Sequence, residues 1–181
     1  MADTATAFGI GDTVPAFTLT DTEGARHEVP ADPAPPATVL IQTCNHCPYV
    51  IAWNPRLRAV AEEYAPRGVR FLAISSNNPE THPADSPERM AQFVRDQDWP
   101  IPYAFDESQD VARALGSART PELFVLDGAH RLVYHGAPDS SHEDPSENAA
   151  WLRAALDAVL DGREVERAET PPRGCSVKWR S

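Results

Sequence analysis

Two short apolar runs, residues 38–42 (Thr-Val-Leu-Ile-Gln) and 69–75 (Val-Arg-Phe-Leu-Ala-Ile-Ser), constrain the fold more than any other feature of this chain. Such runs mark strands buried on both faces of a parallel sheet. Parallel neighbours cannot be joined by a tight turn, so a crossover helix is required between them. Leu57, Val60, Ala61 and Tyr64 supply it, spaced as one apolar helix face. Pro55 lies inside this helical pattern and is expected to kink or split it. Pro66 and Gly68 end it.

The remaining segments extend the alternation. Residues 16–20 read as a short strand followed by a turn at 22–24, and the proline-rich residues 30–36 as a loop. Residues 77–86 form a long loop. Ser86-Pro87 caps a helix carrying Met90, Phe93 and Val94. Residues 101–105 make a strand, and Asp106 with Gln109 offers a capping box for a short helix closed by Gly116. Residues 123–126 and 131–135 form a hairpin around Asp127-Gly128. Asp144-Pro145 opens a last helix bearing Trp151, Leu152, Ala155, Leu156 and Val159. The order of elements argues for an α/β fold with helices on both faces of a central sheet.

The chain has 181 residues and a net charge of −11, which suits one domain and disfavours nucleic acid and anionic membranes as partners. The N-terminal residues carry no basic start or apolar core of a secretory signal, so a cytoplasmic location is expected. Nothing in the composition calls for a cofactor or a resident metal. The five histidines other than His46 (His27, His82, His130, His135 and His142) are expected to be solvated.

Three cysteines, Cys44, Cys47 and Cys175, are too few for a structural disulfide framework. Cys44-Asn45-His46-Cys47 stands between the first buried strand and its helix. At i and i+3 of a first helical turn, the two Cα atoms would lie about 5–6 Å apart, inside the disulfide window. The helix N-terminus, and His46 when protonated, would then favour a thiolate on Cys44, with Cys47 behind it as resolver. A redox dithiol is the leading reading. A zinc site would need ligands from elsewhere, and no second Cys-x-x-Cys exists. Two buried thiols acting as small hydrophobes would not need the polar Asn45-His46 spacer.

Four segments carry a wider resemblance: Thr43-Cys44-Asn45-His46-Cys47-Pro48-Tyr49, residues 85–90 (Asp-Ser-Pro-Glu-Arg-Met), residues 120–127 (Thr-Pro-Glu-Leu-Phe-Val-Leu-Asp) and residues 174–179 (Gly-Cys-Ser-Val-Lys-Trp). Together they resemble the peroxiredoxin-like branch of the redoxins, the alkyl hydroperoxide reductase/thiol-specific antioxidant (AhpC/TSA) group. The resemblance implies a thioredoxin-like fold with a central mixed sheet over residues 10–165, an N-terminal extension, and a tail at 166–181 carrying Cys175. It also implies that Thr120 and a cis Pro121 face the cysteines. The peroxiredoxin pattern Pro-x-x-x-Thr-x-x-Cys is not matched: Ile41 and Ala37 precede Cys44 at those positions, and Cys44 and Leu40 precede Cys47.

The expected activity is therefore thiol–disulfide exchange through Cys44 and Cys47, supported by His46, Thr120 and Pro121. Thiol-dependent peroxide reduction is the alternative, and a copper-binding or redox-sensing module the alternative of another class. The expected partners are protein or small-molecule disulfides and thiols, peroxide under the alternative, and a thiol reductant. Cys175 is read either as a relay thiol on a mobile tail or as a thiol docked by Val177 and Trp179.

Overall fold

The computed structural model describes residues 8–181. A hairpin of β1 (Phe17–Thr20) and β2 (Arg26–Val29) precedes the main unit. Then follow β3 (Ala37–Thr43), α1 (Pro48–Tyr64), β4 (Arg70–Ser75), α2 (Pro87–Gln97), β5 (Tyr103–Phe105) and α3 (Asp110–Leu115). The two-residue β6 (Arg119–Thr120) leads into β7 (Glu122–Asp127), β8 (Leu132–Gly136), α4 (Ala150–Leu160) and finally β9 (Cys175–Ser176).

The central sheet has the order β5-β4-β3-β7-β8. β3, β4 and β5 run parallel, while β7 and β8 are antiparallel. All seven residues of β3 are buried, as its apolar run requires. Alternation then divides the core. Val39, Ile41, Phe71, Leu123 and Val125 face α1, α2 and α4, meeting Trp53, Leu57, Met90, Leu152 and Leu156. Leu40, Leu72, Ile74, Phe124 and Leu126 face Val111 and Leu115 of α3, with Val14 and Val29 alongside. This is the mixed, helix-covered sheet expected.

Several local expectations are corrected. Helix α1 begins earlier than its apolar stripe and runs unbroken through Pro55. Pro55 sits on the outer face, and the carbonyl it cannot serve belongs to Ile51, which is 57 % exposed, so water can satisfy it. The last helix does not start at Asp144-Pro145. Residues 145–147 form a single 3-10 turn, Asn148 and Ala149 take positive φ, and α4 begins at Ala150. The cause is Asp139, whose carboxylate accepts the Ala149 amide at 2.8 Å. No capping box forms at α3 either. Asp106 accepts from the Val111 and Ala112 amides, while the Gln109 side chain turns toward the C-terminal tail.

Asp139 is also the anchor that ties α1 to the loop after β8. Fully buried, it accepts from Trp53 Nε1 at 2.9 Å and from Arg56 Nη1 at 2.8 Å. Arg56 then donates to the carbonyls of Ser141 and His142, which sets the His142 ring 4.1 Å from Tyr49 beside the start of α1. Removing one member of a buried pair leaves the other charge uncompensated, at a cost of about 3–5 kcal/mol. Asp139→Ala should lower the unfolding free energy in urea by about that much. A loss below about 1 kcal/mol would show that the anchor does not carry this weight.

Candidate active site

The site forms where the C-terminal ends of β3 and β4 meet the entry to β7. Cys44 follows directly on β3, and Cys47 is the N-cap of α1, with Pro48 in the first helical position. The two cysteines do not share a helical turn, contrary to the expectation from spacing. Cys47, not Cys44, therefore stands at the positive end of α1. Both are buried, Cys44 at 3 % exposure and Cys47 at 0 %.

Thr120 lies opposite, joined to Pro121 by a cis peptide bond. Its hydroxyl is 3.6 Å from Cys44 Sγ, and its carbonyl is 3.4 Å from Cys47 Sγ. Cys175 completes the group, with its Sγ 2.7 Å from that of Cys47. The structure thus brings Cys44, Cys47, Cys175, Thr120 and Pro121 together. The tail that delivers Cys175 is not loose: β9 pairs antiparallel with β6, matching Thr120 with Cys175. Val177 is buried there. Trp179 remains exposed, with the Arg113 guanidinium over its ring.

The electrostatics separate the two motif sulfurs. The Cys47 thiol is brought down to about 4, chiefly by the hydrogen bond it receives from Cys44. Burial opposes this, while the Cys175 thiol and the Val50 and Cys175 amides add to it. The Val50 amide is too loosely placed to form a full capping bond. Cys44 is pushed far up because it is the donor to Cys47, is buried and faces Asp85. Cys175 is raised to about 11 by burial and by Cys47, with Lys178 and Arg119 pulling the other way. One thiolate thus rests on Cys47, with Cys44 holding a proton against it. When protonated, Cys47 can donate to the Thr120 carbonyl, so its sulfur has a partner in both states.

The His46 ring is turned toward Asp85. Its Nδ1 lies 2.7 Å from Oδ2 of Asp85, a fully buried carboxylate. Asp85 also accepts from the Asn45 amide at 2.8 Å and from Asn77 Nδ2 at 2.8 Å. Asn45 in turn donates to the Ala84 carbonyl at 2.9 Å and accepts from Tyr103 Oη at 2.8 Å. Burial, and then the neighbouring acidic groups, push the Tyr103 phenol well up, so it remains a donor. Both spacer residues are therefore clamped to the loop before α2. Cys44, His46 and Asp85 each offer a ligand atom within 4.8 Å of the others, the spacing of a cation site. Three nitrogens already engage the two oxygens of Asp85, which leaves about one of its four lone-pair positions for an ion.

Asp85 and Tyr103 escaped sequence reasoning. Asp85 sits in a loop with no periodicity, and its only signal was membership of the segment at residues 85–90. The other histidines also differ from expectation. His27 pairs with Asp21 at 2.7 Å and His135 with Glu122 at 2.8 Å, His82 stacks on His46, and His130 is half-buried.

Residues 10–135 match the AhpC/TSA family, and the chain belongs to it. No curated protein matches the chain. An uncharacterized conserved protein from Geobacillus kaustophilus is 39% identical, with a TM-score of 0.89 over 96% of this chain and 93% of that one. A hypothetical protein from Sinorhizobium meliloti 1021 is 34% identical, with a TM-score of 0.90 over 97% of each. The peroxidoxin BcpB of Mycobacterium tuberculosis shares 22% identity, with a TM-score of 0.64 over 86% of this chain and 97% of its own. That likeness, like those to thioredoxin-type structures, establishes the thioredoxin-like fold. Among the described residues, no helix is long and apolar enough to cross a membrane.

If the thiolate rests on Cys47, absorbance at 240 nm should report one thiolate that persists through neutral pH and is lost on acidification near pH 4. Cys47→Ser should abolish that signal, and Cys44→Ala should move its midpoint upward by removing the principal donor. A low-pH thiolate that survives in Cys47→Ser would place the charge on another sulfur.

Proposed function

We propose that this protein is a thiol–disulfide oxidoreductase cycling between a Cys44/Cys47 dithiol and the corresponding disulfide. The observation that carries this reading is the placement of Cys47. A sulfur on the N-cap residue of a helix, 2.7 Å from the Cys175 sulfur and facing Thr120, is a stabilised thiolate within reach of a second sulfur. Such a thiolate is both a nucleophile and a good leaving group. Cys47 attacks a substrate sulfur, and Cys44 then attacks Cys47 to release the product thiol. This reverses the roles suggested by spacing alone.

His46, held by Asp85, places a ring nitrogen within 4.8 Å of the Cys44 sulfur and is the candidate to take and return its proton. Thr120 and Pro121 position the pair. The redox unit spans residues 10–165, with residues 166–181 bringing Cys175 to it. A reducing cytoplasm with a thiol reductant as electron donor suits a dithiol of this kind.

Family membership keeps peroxide reduction as a second reading, with Cys47 as the attacking thiolate. Reduction of disulfides by the purified protein, followed beside hydrogen-peroxide consumption with the same thiol reductant, ranks the two. Disulfide turnover should exceed peroxide turnover, and Cys47→Ser should lower it by roughly 10³-fold or more. Fast peroxide consumption with negligible disulfide turnover would reverse the ranking.

A further inference from the structure

The backbone edge nearest the sulfurs is already occupied by the protein's own tail. Strand β9 pairs with β6, and beyond it the Val177 amide donates to the Ala118 carbonyl at 3.0 Å. Further along, the Lys178 amide donates to Asn77 Oδ1 at 2.8 Å. The Lys178 carbonyl accepts from the Asn78 amide at 2.8 Å and from Gln109 Nε2 at 3.0 Å. The Arg180 amide closes the series on Gln109 Oε1 at 2.9 Å. Gly174 passes so close to Thr120 that a Cβ there would lie 1.9 Å from the Thr120 carbonyl oxygen. A tail held this way excludes other chains from the edge. It also leaves Cys44 and Cys47 buried and Cys175 as the partly exposed thiol of the three.

We propose that residues 174–180 act as a permanently bound internal substrate strand, with Cys175 as the shuttle between the buried dithiol and solvent. On this account the external substrates are small thiols and small disulfides rather than extended segments of other proteins. The inference rests on the oxidoreductase reading above and adds the substrate class to it.

The exchange balances as follows. Starting from the Cys44–Cys47 disulfide, the Cys175 thiolate attacks Cys47 Sγ; a Cys47–Cys175 bond forms, and Cys44 leaves as a thiolate and takes a proton. A small thiolate RS⁻ attacks Cys175, forming R–S–S–Cys175 and releasing the Cys47 thiolate. A second RS⁻ attacks the R sulfur, giving RSSR and the Cys175 thiolate, which is reprotonated. Two RSH supply two electrons and two protons; one proton stays on Cys44, and the other is shared between Cys47 and solvent. Run backwards, the sequence uses RSSR as oxidant and re-forms the Cys44–Cys47 bond. Burial and then Cys47 hold the Cys175 thiol up, and before the first step oxidation has removed the second of these. Lys178 and Arg119 then favour its thiolate.

A protein strand would need the β6 edge for main-chain pairing, as strand-addition ligands do. The test compares bis(2-hydroxyethyl) disulfide with insulin as oxidants, with glutathione as reductant. The wild-type protein should turn over the small disulfide at least about tenfold faster than the insulin disulfides. Cys175→Ser, close to isosteric, should lower small-disulfide turnover by roughly 10²-fold or more while leaving the melting temperature near wild type. Gly174→Ala keeps all three thiols but dislodges the strand, and should raise insulin reduction relative to small-disulfide reduction. If Gly174→Ala fails to fold, the Cys175→Ser comparison decides. Equal turnover of both oxidants, unaffected by Cys175→Ser, would overturn the shuttle and leave the oxidoreductase reading standing. No turnover of either would sink that reading itself.

Discussion

The hydrogen-bond field around the Cys47 sulfur organises this site. At the first turn of α1 the backbone N–H groups lack helical partners, and Pro48 adds none. The sulfur at that cap sits among donors: the Cys44 thiol, the Cys175 thiol and amide, and more loosely the Val50 amide. A thiolate there is held by the same groups that end the helix. Everything else in the site fixes the geometry of those donors, since a displacement of even one would raise the thiol again.

Two distant elements provide this fixing. Asp85 receives the Asn45 amide and faces His46, so the two residues between the cysteines have little freedom, and Cys44 is kept protonated beside a buried negative charge. The tail, pressed against Thr120 at Gly174, brings Cys175 to Cys47. Cys47 thus has two sulfur neighbours, one facing a buried carboxylate and the other partly exposed. Burial of a dithiol would ordinarily hinder exchange. Here the third thiol offers a route that does not require the core to open.

Much of the fold was legible because its signals are local. The apolar runs at 38–42 and 69–75, the stripe from Leu57 to Tyr64 and the hairpin around Asp127-Gly128 each carry their own periodicity, and each formed. Cys44, Cys47, Pro121 and Cys175 were recognisable from motif and resemblance. The assignment of roles was not. It turns on whether α1 begins at Cys44 or after Cys47, and Pro48 decides this by its suitability for a first helical position. Asp85 and Asn77 act across the fold: Asp85 meets Asn45 from 40 residues away, and Asn77 meets Lys178 across 101. Contacts of that range leave no period in a sequence. Gln109 illustrates the same limit, since the side chain suited to a local cap is used to hold the tail.

The central claim is that Cys47 is the shared partner of both other sulfurs. Disulfide mapping by mass spectrometry after graded oxidation tests it directly, with trapping by an alkylating agent under denaturing conditions. The account predicts Cys44–Cys47 and Cys47–Cys175 linkages in exchange with one another, and no Cys44–Cys175 linkage. Accumulation of Cys44–Cys175, or a Cys175 that stays reduced in every trapped species, would contradict it.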